Sequence, residues 1–295
     1  AEIGFFTTIF AGIAAIYAII SALYGVRMNT PAAVVSARNA VVVSCIMLVL
    51  AAVALQIAIV NQEYQMAYVW SVSNPSMPTF YRVTALWGSQ QGSLLFWSAL
   101  MSVFAALAVT LNWRSNRRLM PYVIATLMSV LIFFIGLNLF VENPFERWWL
   151  DSASVNAEVL STVLQPAGAV APSEARLAES AQGLSPMLRH FGMAIHPPML
   201  YLGFVGFLVP FAFAIAAMAS GDLSTNWIKA SRRWVLVAWL FLTLGLILGG
   251  RWAYDVLGWG GYWGWDPVEN AAFLPWLVGT ALLHSIMIQQ KRGML

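Results

Sequence analysis

Only three side chains of this chain, His190, His196 and His284, can offer a neutral imidazole lone pair near neutral pH. His196 directly precedes Pro197-Pro198, and His284 lies deep inside an apolar run. The densest cluster of large side chains is Trp259-Gly260-Gly261-Tyr262-Trp263-Gly264-Trp265-Asp266-Pro267-Val268-Glu269-Asn270. Three indoles with no core around them are costly to expose unless a flat, largely apolar partner covers them. The intervening glycines let a partner approach the backbone closely. Trp263 and Trp265 are two apart, so an extended segment would place them on one face. The stretch reads as a shelf for a planar ligand or as an aromatic cluster at a membrane surface.

A histidine beside a wide aromatic platform suits heme, because a ring nitrogen can ligate iron while indoles stack on the porphyrin. His284 suits an iron–imidazole bond inside a membrane, or a hydrogen bond with the neighbouring Ser285 that leaves it a satisfied neutral ring. His190 reads as structural or solvated. Asp266 followed by Pro267 has the form of a helix N-cap with proline at the first helical position. Asp266 and Glu269 could also hold a cation or act as acid and base. The chain has no GxSxG, no phosphate-cradling glycine loop and no CxxCH. Its single cysteine, Cys45, excludes a disulfide framework and a CxxC redox pair, so thiol chemistry has to come from a partner.

The elements that position these groups are membrane spans. Hydrophobic residues make up 60% of the chain and charged ones 9%, with a mean hydropathy of +0.75. Apolar runs cover residues 4–25, 39–61, 94–112, 120–141, 199–219, 234–250 and 271–290. Each is long enough to cross a hydrocarbon core of about 30 Å as a helix. The fold class is therefore an all-α polytopic membrane protein of about seven transmembrane helices, read as a single domain over 1–295. The first run reads as a retained helix rather than a signal peptide, having no basic leader and no small-residue cleavage site.

Charge orients the spans. Arg27, Arg38, Arg114, Arg117, Arg118, Lys229, Arg232, Arg233, Lys291 and Arg292 flank alternate connections, accompanied by one acid, Asp222. The other five arginines share the opposite side with the remaining acids. The positive-inside rule puts the N-terminus outside and the C-terminus in the cytoplasm. The net charge of +3 is then a topology signal, and nucleic-acid binding is not expected.

Three outer segments follow. Residues 62–93 read as a loop with an aromatic belt, including Tyr68 and Trp70. Residues 142–198 form a long segment whose middle, 151–182, reads as partly helical or mobile surface. Residues 251–270 form the tryptophan loop, which the sixth span reaches through Gly249-Gly250-Arg251-Trp252. Pro197-Pro198 is expected in the first turn of the fifth helix. His196 and the tryptophan loop thus fall on the same face, with His284 about 21 Å below it at 1.5 Å per residue.

The run Trp259 to Asn270 resembles the tryptophan-rich "WWD" motif of heme-handling proteins in cytochrome c biogenesis. Together with Ile195-His196-Pro-Pro-Met-Leu-Tyr-Leu-Gly203, Phe273-Leu-Pro-Trp276 and Leu282-Leu-His284-Ser285, it resembles the N-terminal half of the CcmF/NrfE-type heme lyases. The resemblance implies a bacterial inner-membrane protein that holds heme on the periplasmic face for thioether attachment to the CxxCH of an apocytochrome c. It implies His196 as an axial ligand of that delivered heme, with Trp259, Trp263, Trp265 and Asp266 as its platform. It further implies His284 as a ligand of a permanent heme b within the membrane, which reduces the delivered iron. The implied partners are apocytochrome c, the heme chaperone CcmE, thiol-reductase or apocytochrome-binding subunits such as CcmH, and a C-terminal half carrying the second ligand of each heme. Arg82, Arg189 and Arg251 are the candidates for propionate contacts. A heme exporter, or a heme-bearing respiratory subunit without bond formation, is the alternative.

Overall fold

A computed structural model describes residues 1–151, 159–222, 224–258 and 261–292. Trp259 and Gly260 lie outside these residues. Seven helices among the described residues are long and apolar enough to cross a membrane: α1 (Glu2–Arg27), α2 (Pro31–Val60), α5 (Gln90–Asn112), α6 (Met120–Phe140), α8 (Phe191–Ser220), α9 (Asn226–Leu257) and α10 (Pro267–Arg292). Shorter helices are α3 (Ala67–Val72), α4 (Thr79–Thr84) and α7 (Glu174–Ser180). The protein is an all-α polytopic membrane protein with one small sheet.

The helices overrun the apolar runs because polar residues cap and extend them. His190 is the N-cap of α8, its Nδ1 accepting from the Gly192 N–H at 3.1 Å. Pro197 and Pro198 therefore stand in the second turn and not the first. A span tolerates such prolines when neighbouring elements serve the backbone groups they leave. Gly221 closes α8 in the left-handed conformation, φ 67°, with its own N–H bonded to Met218 O and the Asp222 N–H to Ala217 O. Helix α9 runs unbroken to Leu257, so Gly249 to Trp252 are helical and the tryptophan loop proper begins at Gly258.

The chain divides into two compact units. One comprises Ala1–Ile13, Val43–Ala99 and Ile132–Arg189. It contains the sheet β2-β1-β3, with β1 (Arg147–Asp151) antiparallel to both β2 (Val159–Thr162) and β3 (Ala169–Val170). The middle of the long outer segment thus includes strands as well as a short helix. The first outer loop is also more ordered than a belt: Tyr68 is 1% exposed and its hydroxyl donates to Ala85 O at 2.8 Å.

The second unit comprises Ala14–Val42, Leu100–Leu131 and His190–Leu295. Its centre is the pair α8 and α9, brought together by small residues. A Cβ on Gly203 would meet the backbone of Leu242 at 2.6 Å, and one on Gly245 would meet that of Leu200 at 2.8 Å. Helix α10 packs on α8 and α9 through Leu200, Leu242 and Ala272 at one level, and on α9 through Val235, Leu283 and Ile286 at another.

Candidate functional site

His196 sits where α8 crosses the glycines of α9. Its Nδ1 lies 2.8 Å from Gly245 O, and a carbonyl can only accept. Nδ1 therefore carries the proton, and in the neutral ring Nε2 keeps its lone pair. Gly249 makes room for the imidazole: a Cβ there would stand 2.5 Å from Cε1. Trp252, one turn beyond Gly249 on α9, stacks on the ring at 6.3 Å and 12°. This partner escaped sequence reasoning, which ended the sixth span at Gly250 and placed Trp252 in the tryptophan loop; helical spacing from Gly245 and Gly249 would have revealed it.

His196, Trp252, Trp263, Asp266 and Glu269 line one cleft of about 170 Å³. Ligand pockets ordinarily run about 300–1,000 Å³, so a porphyrin would lie across this cleft, with only one side covered by these residues. The two carboxylates at its edge are turned to the backbone. Asp266 Oδ1 accepts from the Glu269 N–H at 2.7 Å, while Glu269 Oε2 accepts from the N–H groups of Asp266 at 3.3 Å and Gly264 at 2.8 Å. This reciprocal capping starts α10 and fixes the loop to it.

Trp263 and Trp265 do not share a flat face. Their rings meet edge to face at 5.8 Å and 86°, and both contact Phe273. The reason is local: Trp265 has φ +55°, a left-handed conformation that turns the chain out of an extended path. It is held there by Asn270 Nδ2, which donates to Trp265 O at 3.0 Å. Trp265 is 67% exposed, a bulky side chain on a strained backbone facing away from the core. Trp263 borders the cleft, and Trp265 is not among its lining residues.

His284 lies on the same helix as Phe273, well away from the cleft, on an exposed face of α10. Its Nδ1 is 2.8 Å from Thr280 O, an acceptor, so in the neutral ring the lone pair is on Nε2. Ser285 donates to Ala281 O and not to His284. Thr280 belongs to a hydrogen-bonded lattice inside the membrane. Trp239 Nε1 donates to Thr280 Oγ1 at 2.8 Å, Trp276 Nε1 to Thr243 Oγ1 at 2.7 Å, and the two indoles stack at 6.0 Å.

The donor set fits heme iron. Metal-ligating histidines usually fix one nitrogen on a carbonyl or carboxylate and ligate with the other, as His196 and His284 are placed to do. His190 has the opposite arrangement, its Nδ1 accepting, and its role in the fold is to cap α8. Of the candidate propionate partners, Arg82 donates to Met77 O and Arg189 to Leu184 O, each tying down its own loop. Arg251 pairs with Asp255 at 2.8 Å on the exposed side of α9.

Comparison with known proteins places the chain in context. The profile of the family described as "Cytochrome C assembly protein" matches residues 87–294. The cytochrome c-type biogenesis protein CcmF of Escherichia coli K12 is 42% identical over 236 residues, covering 80% of this chain and 33% of that protein. CycK of Rhizobium meliloti is 37% identical over 291 residues, covering 99% of this chain and 39% of its own length. A solved structure named cytochrome c heme lyase CcmF superposes with a TM-score of 0.77 at 31% identity, covering 99% of this chain and 42% of that one. The chain thus spans about two fifths or less of the length of these relatives.

Proposed function

The chain belongs to the cytochrome C assembly protein family, and from that premise we propose that it is the heme-holding N-terminal portion of a cytochrome c heme lyase. The observation that carries the reading is His196, held through Nδ1 on Gly245 O beside a cleft that Trp263 and Asp266 also line. In this reading Nε2 of His196 ligates the iron of the delivered heme. Trp263, with Trp259 of the same loop, covers its apolar surface, Trp265 supports Trp263 edge to face, and the Asp266–Glu269 cap holds the loop in place. Heme supplies vinyl groups, to which two thiols of an apocytochrome CxxCH add. Each S–H adds across one C=C, forming a C–S bond and placing the proton on the neighbouring carbon, with no leaving group. The residues of this chain orient the substrate and exclude water from its buried side.

His284 is the proposed ligand of a permanent intramembrane heme b, which supplies electrons to the delivered iron. The partners are apocytochrome c, a heme chaperone of the CcmE kind, an apocytochrome-binding subunit of the CcmH kind, and the C-terminal part found in the longer relatives. The site faces the periplasm across the bacterial inner membrane, the orientation that the basic connections require.

Expression of the full-length protein with its partners in cells lacking the endogenous system tests this. His196→Ala and Trp263→Ala are each expected to cut c-type cytochrome yield by about tenfold or more, as loss of an iron ligand or its support does. Undiminished yield in His196→Ala would overturn the proposal. Heme retained at the loop without any apocytochrome coprecipitating would point to an exporter instead.

A further inference from the structure

The chain holds a second site, unrelated to the tryptophan loop, at the opposite ends of the helices. A cavity of about 440 Å³ opens where the C-terminal ends of α1, α5 and α8 meet the N-terminal ends of α2 and α6. Its lining combines two guanidinium groups, Arg117 and Arg118, with Asn29, Trp113 and Tyr122 and with the apolar Val26 and Val35. We propose that this cavity binds an anionic phospholipid, with the phosphate between Arg117 and Arg118 and an acyl chain leaving past Val26 and Val35.

Three observations carry it. The first is charge without compensation. Among the described residues the ion pairs are Glu2–Arg147 and Arg251–Asp255, and neither involves these arginines. Asp222 feels the charge of Arg118, but its carboxylate accepts from the Ser224 N–H at 3.2 Å. The second is preorganisation. Arg118 Nη2 donates to Ser220 O at 3.3 Å, which anchors one guanidinium, and Arg38 lies over the Trp113 ring at 4.9 Å, adding a third positive charge beside the cavity wall. Asn29 enters the cavity from a turn with φ +50°, locked by the Thr30 N–H on Gly25 O at 2.9 Å.

The third observation is the lining itself. All three arginines of this connection are exposed, and Arg114 lies outside the cavity lining. Arg117 and Arg118 instead border a space that also has apolar walls. Val26 and Val35 line it and are each 39% exposed. A phosphate alone would use the arginines and leave this apolar wall uncovered; a phosphate with a hydrocarbon tail uses both. Basic pockets between spans, on the face rich in anionic lipid, recognise headgroups in this way, each Arg giving about a fivefold gain in binding.

Native mass spectrometry of the full-length protein, released from vesicles of equal phosphatidylglycerol and phosphatidylcholine, reads the retained lipid. The proposal expects phosphatidylglycerol to be retained preferentially, and Arg117→Gln/Arg118→Gln to lower that retention about 30-fold, from two lost contacts. Arg114→Gln is expected to retain it as the unaltered protein does. Inorganic phosphate at the same phosphorus concentration should not displace it. Equal loss in Arg114→Gln, unchanged retention in the double variant, or full displacement by inorganic phosphate would each overturn the proposal. Should the double variant fail to fold, Arg117→Lys/Arg118→Lys keeps the charge and removes the fork, and it is expected to retain phosphatidylglycerol more weakly than the unaltered protein; equal retention there would equally overturn it.

Discussion

Two histidines of this chain share one device. His196 and His284 each commit Nδ1–H to a backbone carbonyl, of Gly245 and Thr280 respectively, which in the neutral ring leaves the lone pair on Nε2. Neither partner could be read from sequence, because both are main-chain atoms placed by helix packing or helix pitch. Asp266 is different, since Asp-Pro at the mouth of an apolar run announces a cap on its own. Glu269, three residues on, completes it. The cap makes a discriminating prediction. Asp266→Asn should preserve both stability and cytochrome maturation, because Asn caps as well as Asp. Asp266→Ala should cost about 1 kcal/mol in thermal unfolding and reduce maturation. Loss of maturation in Asp266→Asn would show that the charge itself acts on the substrate.

At the scale of elements, apolar run length located all seven spans, but most helices start before their runs. Helix α9 continues past Gly249-Gly250, where its apolar run ends, to Leu257. The two glycines serve helix contacts: one admits the His196 ring, and at the other a Cβ would meet Tyr262 O at 2.7 Å. The sheet was illegible because its strands are short and β3 has only two residues. Nor could the crossed indoles of Trp263 and Trp265 be foreseen, since they follow from the left-handed backbone at Trp265. Helices α9 and α10 are joined by the Trp239–Thr280 and Trp276–Thr243 hydrogen bonds. Thr280→Val removes the acceptor for the Trp239 N–H while keeping the shape. It should destabilise the protein by about 1–2 kcal/mol, read as a lower melting temperature in detergent. An unchanged melting temperature would mean that the lattice does not hold α10 in place.

For the whole molecule, the ends of five spans that gather around one cavity are also the ends that carry the basic connections. The charge-derived orientation puts these ends in the cytoplasm and the tryptophan loop outside, and it can be tested by labelling. In a Cys45→Ser background, Ser173→Cys should react with a membrane-impermeant maleimide on intact spheroplasts, and Ser115→Cys only after the membrane is opened. The reverse pattern would put the heme site in the cytoplasm and remove the proposed reaction, because apocytochrome thiols would not meet it there.

The central claim is that Nε2 of His196 is an axial ligand of the heme held at the tryptophan loop. Electron paramagnetic resonance of the heme-loaded, ferric full-length protein tests it through His196→Cys, which exchanges a nitrogen donor for a thiolate. The account predicts that the signal of the delivered heme changes to that of a thiolate-ligated iron, while the signal assigned to His284 stays as it was. A spectrum identical to that of the unaltered protein at full heme loading would contradict it.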